Sequence, residues 1–143
     1  MSTEENKAIV RRFYEEVFNQ KKRAAIEEFV DSKGIDHALP PGLPAGIEGT
    51  KQFITMYLTA FPDLHFTVED MIAEGDKVVA RLTTRGTQQG AFMGIPPTGK
   101  QATITAIDIN RIVGGKSVEH WLNMDTLGLL QQLGVIPAPG QAS

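Results

Sequence analysis

The stretch VEHWLNMD, Val118 to Asp125, gathers a glutamate, a histidine, a tryptophan and an aspartate among apolar side chains. A second run, IDIN, Ile107 to Asn110, sets an aspartate and an asparagine in a segment rich in isoleucine and threonine. A carboxylate turned inward among apolar neighbours is a stronger base than one in water, because burial disfavours its charged form. Such a group suits removal of a proton beside a carbonyl, with a nearby imidazole to orient it or to polarise the carbonyl. Asp108 is the candidate base and His120 its candidate partner; Asn110 offers a hydrogen bond to a substrate. Asp36-His37 is a further acid–imidazole pair, far upstream.

Whether these groups meet depends on the elements that carry them. Over Glu4 to Phe18, Val10, Phe13, Tyr14, Val17 and Phe18 recur at helical spacing with Arg11, Arg12, Glu15 and Glu16 opposite, which predicts an amphipathic helix. Ala24 to Val30 predicts a second, short helix. Asp31 to Glu48, with its prolines and glycines, predicts an irregular loop. Thr50 is the expected N-cap of a third helix carrying Phe53, Ile54, Tyr57, Leu58 and Phe61 and closed by Pro62. Thereafter Val, Ile and Thr dominate His65 to Ala73, Lys77 to Arg85, Gln101 to Val113 and Ser117 to Met124, with turn residues between them. Asp125 is the expected N-cap of a closing helix that ends at Gly134. Helices followed by a meander of strands imply an α+β fold, its helices gathered on one face of an antiparallel sheet.

The hairpin around Gly114-Gly115 decides which side chains face inward. A two-residue Gly-Gly turn pairs Val113 with Lys116 and sets Asp108 opposite Trp121. A three-residue loop pairs Ile112 with Lys116 and sets Asp108 opposite His120. One residue of slip exchanges the faces. The second register is preferred, because it puts Ile104, Ala106, Asp108 and Asn110 with Val118, His120, Leu122 and Met124 on one face. That face has an apolar floor and a polar mouth, the usual make-up of a small-molecule pocket. Glu119, near Arg111, and Trp121 then face outward, where an apolar patch around Ile107 and Ile109 suits a contact between subunits.

Composition narrows the remaining classes. The chain has 143 residues, 41% of them apolar and 22% charged, which fits a single domain over residues 1–143 with a core of its own. It contains no cysteine, so thiolate catalysis and zinc–thiolate sites are excluded. Histidines 37, 65 and 120 lack metal-ligand spacing, and no phosphate loop, nucleophile elbow or dinucleotide fingerprint occurs. The expectation is no metal and no cofactor. A net charge of −3 without a long basic block argues against nucleic acid. With no apolar segment long enough for a signal peptide or a span, a cytoplasmic protein with no membrane partner is expected.

Over nearly its whole length the sequence resembles the SnoaL-like polyketide cyclases, or ester cyclases, of the nuclear transport factor 2-like superfamily. The likeness rests on IVRRFYEEVFNQ, Asp36-His37, FPDLHFTVEDMIAEGDKVVARLTTRGT, GAFMGIPPTGK, INRIVGGKSVEHW and LLQQLG. It implies an α+β cone, with helices on a strongly bent antiparallel sheet and a pocket inside, assembled as a homodimer or homotetramer. It also implies cofactor-free chemistry in which a carboxylate takes a proton alpha to a carbonyl and the enolate closes a ring on a second carbonyl. The resemblance sets His37 at the pocket rim as a third catalytic candidate beside Asp108 and His120.

The departures from that pattern are specific. The acid/base aspartate falls two residues after the histidine of the EHW segment, where this chain has Leu122. A histidine following Gly-Thr is Gln88 here, and an inward histidine is Asp108. Either the carboxylate has moved across the hairpin to Asp108, or the site binds a ligand without proton transfer. The expected substrate-binding residues are Asn110, Gln88, Leu122, Met124, Ala106, Ile104, Phe18 and Tyr14, around a hydrophobic small molecule.

Overall fold

The computed structural model describes residues 1–137 and 139–140. Helix α1 (Thr3–Phe13) opens with a reciprocal cap: the Ser2 hydroxyl accepts the Glu5 N–H while the Glu5 carboxylate accepts the Ser2 N–H, satisfying donors that a helix start leaves free. The helix continues as a wider π-helical turn, Tyr14–Asn19, with Gln20 N–H bonded to Glu15 C=O at 2.8 Å. Such turns often mark functional sites, and this one begins at Tyr14. A 3₁₀ turn (Arg23–Ala25) leads into α2 (Ile26–Phe29).

Next come β1 (Val30–Asp36), α3 (Ile47–Ala60), β2 (His65–Glu74), β3 (Lys77–Thr87), β4 (Gln101–Val113), β5 (Lys116–Met124) and α4 (Thr126–Gln132). The strands form one sheet in the order β1-β5-β4-β3-β2. The predicted α+β architecture holds, with three corrections. The segment read as pure loop contains β1, and β1 pairs parallel with β5, so the sheet is mixed and not wholly antiparallel. That pairing rests on backbone groups at the edge of β5 and leaves no alternation in the polar sequence DSKGID. Finally, α3 starts at Ile47 with Gly46 at its N-cap, so Thr50 lies inside the helix. Asp125 does cap α4, accepting the Gly128 N–H at 2.9 Å.

The β4–β5 hairpin follows neither expected register. Gly114 and Gly115, with φ of 59° and 82°, form the two-residue turn, whose left-handed dihedrals glycine adopts without strain, and Val113 pairs with Lys116. A bulge then shifts the ladder, so that Asn110 faces His120, Asp108 faces Leu122 and Ala106 faces Met124. A bulge adds one residue to one strand, and this one restores the predicted faces while moving each cross-strand partner two residues along. Asp108 is therefore not directly opposite His120.

Along β4 the even-numbered residues are buried and most odd-numbered ones exposed, the period of a sheet covered on one side. Val78, Ala80, Leu82, Ala106 and Ile112 meet Val10 and Tyr14 of the first helix. A second cluster joins Val17, Ile26 and Phe29 to Ile54, Leu58, Phe61, Ile104, Leu129 and Leu133. Fully burying each such Val, Leu, Ile or Phe contributes about 1.5–3 kcal/mol. Between the two clusters the helices do not close on the sheet, and a cavity remains. No helix among the described residues is long and apolar enough to cross a membrane.

Candidate active site

The cavity has a volume of about 110 Å³. Tyr14 and Phe18 line it from the first helix, Tyr57 from α3, and Ile104, Ala106, Asp108 and Asn110 from β4. His120, Leu122 and Met124 line it from β5. Aromatic packing shapes one wall: Phe18 stacks on Phe66 with ring centroids 4.2 Å apart, and Tyr14 stacks on Phe66 at 5.7 Å.

The polar end is a chain of four side chains. The Tyr14 hydroxyl donates to Asp108 Oδ1, and Asp108 Oδ2 lies 3.3 Å from His120 Nε2. His120 Nδ1 lies 2.9 Å from Asp36 Oδ1. Asp36 also accepts the Ala38 N–H at 2.9 Å and the Thr50 hydroxyl at 3.4 Å. A neutral imidazole carries one N–H, whereas both ring nitrogens of His120 face carboxylate oxygens, so the arrangement selects the doubly protonated cation. Burial alone pulls the imidazole down, but the hydrogen bonds and charges of Asp108 and Asp36 outweigh it and carry the pKa up to about 9. Burial likewise pushes Asp36 up, and the hydrogen bond and charge of His120, with the Ala38 and Thr50 donors, leave it below the ordinary value. Burial, then the charge of Asp108 and its hydrogen bond, raise the Tyr14 phenol well above its usual range. At neutral pH Tyr14 and His120 are therefore donors.

Beside this chain, Asn110 is 4% exposed. Its Oδ1 accepts the Ser117 hydroxyl at 2.7 Å, and among the described residues its Nδ2 has no hydrogen-bond partner.

Most of the expected site residues meet here: Asp108, His120, Asn110, Leu122, Met124, Ala106, Ile104, Phe18 and Tyr14 all line the cavity. Two do not. His37 lies on the opposite side of the sheet, its Nε2 2.7 Å from Glu119 Oε2 and its ring stacked on Trp121 at 5.2 Å. The cause is strand alternation: Asp36 pairs with His120 and takes the inner face, which sends the next residue outward. Gln88 is fully buried but away from the cavity. Its amide donates to the Ile95 and Pro96 carbonyls at 3.2 Å each and accepts the Thr98 hydroxyl at 2.8 Å, so it holds the GIPPTG loop in place. The group that sequence reasoning undervalued is Asp36; recognising β1 as a strand would have found it. Glu119 meets Arg111 as expected, with Arg111 Nε 3.2 Å from Glu119 Oε1. Among the described residues no cluster of three or more His, Cys, Asp or Glu side chains could hold a metal ion.

Comparison with known proteins fixes the family. The description of the SnoaL-like polyketide cyclases matches residues 8–133. The chain belongs to that family. Nogalonic acid methyl ester cyclase of Streptomyces nogalater is 29% identical over 119 residues, covering 82% of this chain and 89% of the relative. TsrD of Streptomyces laurentii is 31% identical, with a TM-score of 0.86 over 95% of this chain and 99% of that one. IdmH of Streptomyces antibioticus, a candidate polyketide cyclase, is 33% identical with a TM-score of 0.78, over 91% and 99% of the two chains. Leu122 lines the cavity opposite Asp108.

Proposed function

We propose that this SnoaL-like chain is a cofactor-independent enzyme that closes a carbon–carbon ring in an apolar carbonyl or ester substrate, with Asp108 as base and His120 as acid. The observation that carries the reading is the hydrogen-bonded chain Tyr14–Asp108–His120–Asp36 at the polar end of an apolar cavity. His120 supports this division of roles: its imidazole, carried up to about 9, holds its proton near neutral pH and faces Asp108 Oδ2 with Nε2, so it suits the acid and not the base. Asp108 takes the proton alpha to the carbonyl, and the C–H electron pair becomes the enolate. The enolate carbon attacks a second carbonyl, forming the C–C bond and an alkoxide. His120 protonates the alkoxide through Nε2, and the proton on Asp108 then passes to Nε2 across the 3.3 Å contact. The net change moves one proton from carbon to oxygen and restores both side chains. Tyr14 steadies Asp108 Oδ1 throughout.

The similarity to nogalonic acid methyl ester cyclase makes nogalonic acid methyl ester the first substrate to try. Ring closure by the wild-type protein and its loss in Asp108→Asn support the proposal; equal rates in both proteins refute Asp108 as the base. A second reading, a binding protein without turnover, draws on Leu122 standing where the resembled cyclases carry their acid. Calorimetric binding of the ester with no ring closure would favour it. A second copy of the chain is also proposed to pack on the outer sheet face, where Ile72, Val79, Ile109 and Trp121 form a cross-strand row beside an Ile107 that is 51% exposed.

A further inference from the structure

Tyr57 brings a second polar group to the cavity, apart from the Tyr14–Asp108–His120–Asp36 chain. Its ring is held on α3 by Phe53 and Phe92, each with centroids 5.1 Å away, and by Phe61 at 6.5 Å, so packing sets the direction of the hydroxyl. That direction leads from α3 to the inner face of the sheet, where the hydroxyl meets Met124 Sδ on β5 at 3.3 Å. Tyr57 and Met124 both line the cavity and both are only partly buried, so the hydroxyl lies between the helical wall and the strand wall of the open space. A thioether sulfur carries no hydrogen, which makes the hydroxyl the donor, and it is a weak acceptor. Burial pushes the Tyr57 phenol up to about 12, so the donor keeps its proton at neutral pH. A good donor in an apolar cavity thus rests on a poor acceptor, whereas the Tyr14 hydroxyl is committed to a carboxylate.

We propose that Tyr57 is a specificity-determining residue: its hydroxyl leaves Met124 Sδ and donates a hydrogen bond to a substrate oxygen separate from those that react at Asp108 and His120. The inference rests on the carbonyl-substrate reading above and narrows it to substrates that carry a further oxygen function on an apolar frame. The spacing follows from the ladder. Asp108 pairs with Leu122 and Ala106 with Met124, so Met124 stands one inner-face step from the level of Asp108, about 7 Å along the strand. A carbonyl oxygen accepts more strongly than a thioether sulfur, and the exchange of one for the other costs little, because the sulfur has little hydrogen-bonding capacity to lose. The contact is remote from the bonds that change, so it holds substrate and transition state alike and acts on KM, with kcat little altered.

The test compares 1,4-diacetylbenzene with 4-isopropylacetophenone, which has nearly the same shape but an apolar group in place of one carbonyl. Calorimetry should show that Tyr57→Phe, which keeps the ring among its aromatic neighbours, weakens binding of diacetylbenzene about fivefold and leaves isopropylacetophenone unchanged. Met124→Leu, which removes the present acceptor at similar volume, should tighten binding of diacetylbenzene relative to isopropylacetophenone by about twofold. In the double variant Tyr57→Phe, Met124→Leu that gain should vanish. A tyrosine whose only task is to hold Met124 would give no such gain. Tyr57→Phe should have the same effect in an Asp108→Asn background, so failure of the base assignment is read separately. No measurable binding of diacetylbenzene by the wild-type protein, equal losses for the two ligands in Tyr57→Phe, or a Met124→Leu protein without the relative gain overturns the inference.

Discussion

Asp108 and His120 share the inner face of one hairpin with Oδ2 and Nε2 3.3 Å apart, although the ladder pairs Asp108 with Leu122 and His120 with Asn110. The contact is diagonal, produced by the bulge that follows the Gly114-Gly115 turn. It leaves the second imidazole nitrogen free for Asp36 on β1, so the imidazole bridges two carboxylates carried by different strands.

The first prediction concerns pH. The His120 pKa is raised in the folded protein from 6.5 to about 9, so its contribution to stability is fully present below about 6.5 and is lost as pH rises through about 9. The amount at stake is on the order of 3 kcal/mol. Urea unfolding between pH 6 and 10 should show this decline, and His120→Gln should flatten it. Turnover should also fall as pH rises through about 9, and Asp36→Asn should move that alkaline limb to lower pH because one of the two supporting carboxylates is gone. An alkaline limb that stays put in Asp36→Asn contradicts the role given to Asp36.

Introducing a carboxylate opposite Asp108 should destabilise the protein. Leu122→Asp loses apolar contact and puts a second acid beside an existing one, a cost of about 2 kcal/mol or more at neutral pH. The loss should shrink at acidic pH, where the new acid is protonated. Unfolding midpoints compared at pH 5 and pH 8 check this; equal losses at the two values would show that repulsion between the acids is not the cause.

His37 was expected at the pocket and lies outside it, stacked on Trp121 beside Glu119. His37→Ala should therefore leave kcat/KM within about twofold of wild type, since surface ion pairs contribute little. A loss comparable to that of His120→Gln would return His37 to the catalytic machinery.

A charge on the outer sheet face should separate the proposed subunits. Ile107 is half exposed in the single chain, and Ile107→Glu should sediment as a smaller species than wild type with unchanged secondary structure. Identical sedimentation of the two proteins removes this face as the subunit contact.

How far the sequence reached follows from which forces leave a pattern. Alternation along Gln101 to Val113 exposed the inner face of β4, and with it Asp108 and Asn110, because burial on one side of a strand writes a period of two into the side chains. The apolar stripe of the first helix placed Tyr14 and Phe18 correctly for the same kind of reason, though nothing in it announced the π-helical turn or the Tyr14–Asp108 hydrogen bond. The bulge in β5 is a backbone event with no residue signature, so the faces were legible and the partners were not. β1 was illegible because its pairing is made by main-chain groups under polar side chains, and missing it misplaced both members of the Asp36-His37 pair. Gln88 shows the remaining limit: a buried amide reads the same in sequence whether it meets a ligand or its own loop.

The central claim is that Asp108 removes a proton from carbon, and exchange of that proton tests it without requiring ring closure. Nogalonic acid methyl ester incubated with the protein in deuterium oxide should lose its alpha-proton NMR signal at a rate proportional to protein concentration. Asp108→Asn should slow this exchange by roughly 10²–10⁴-fold. Exchange in Asp108→Asn as fast as in wild type would contradict the account.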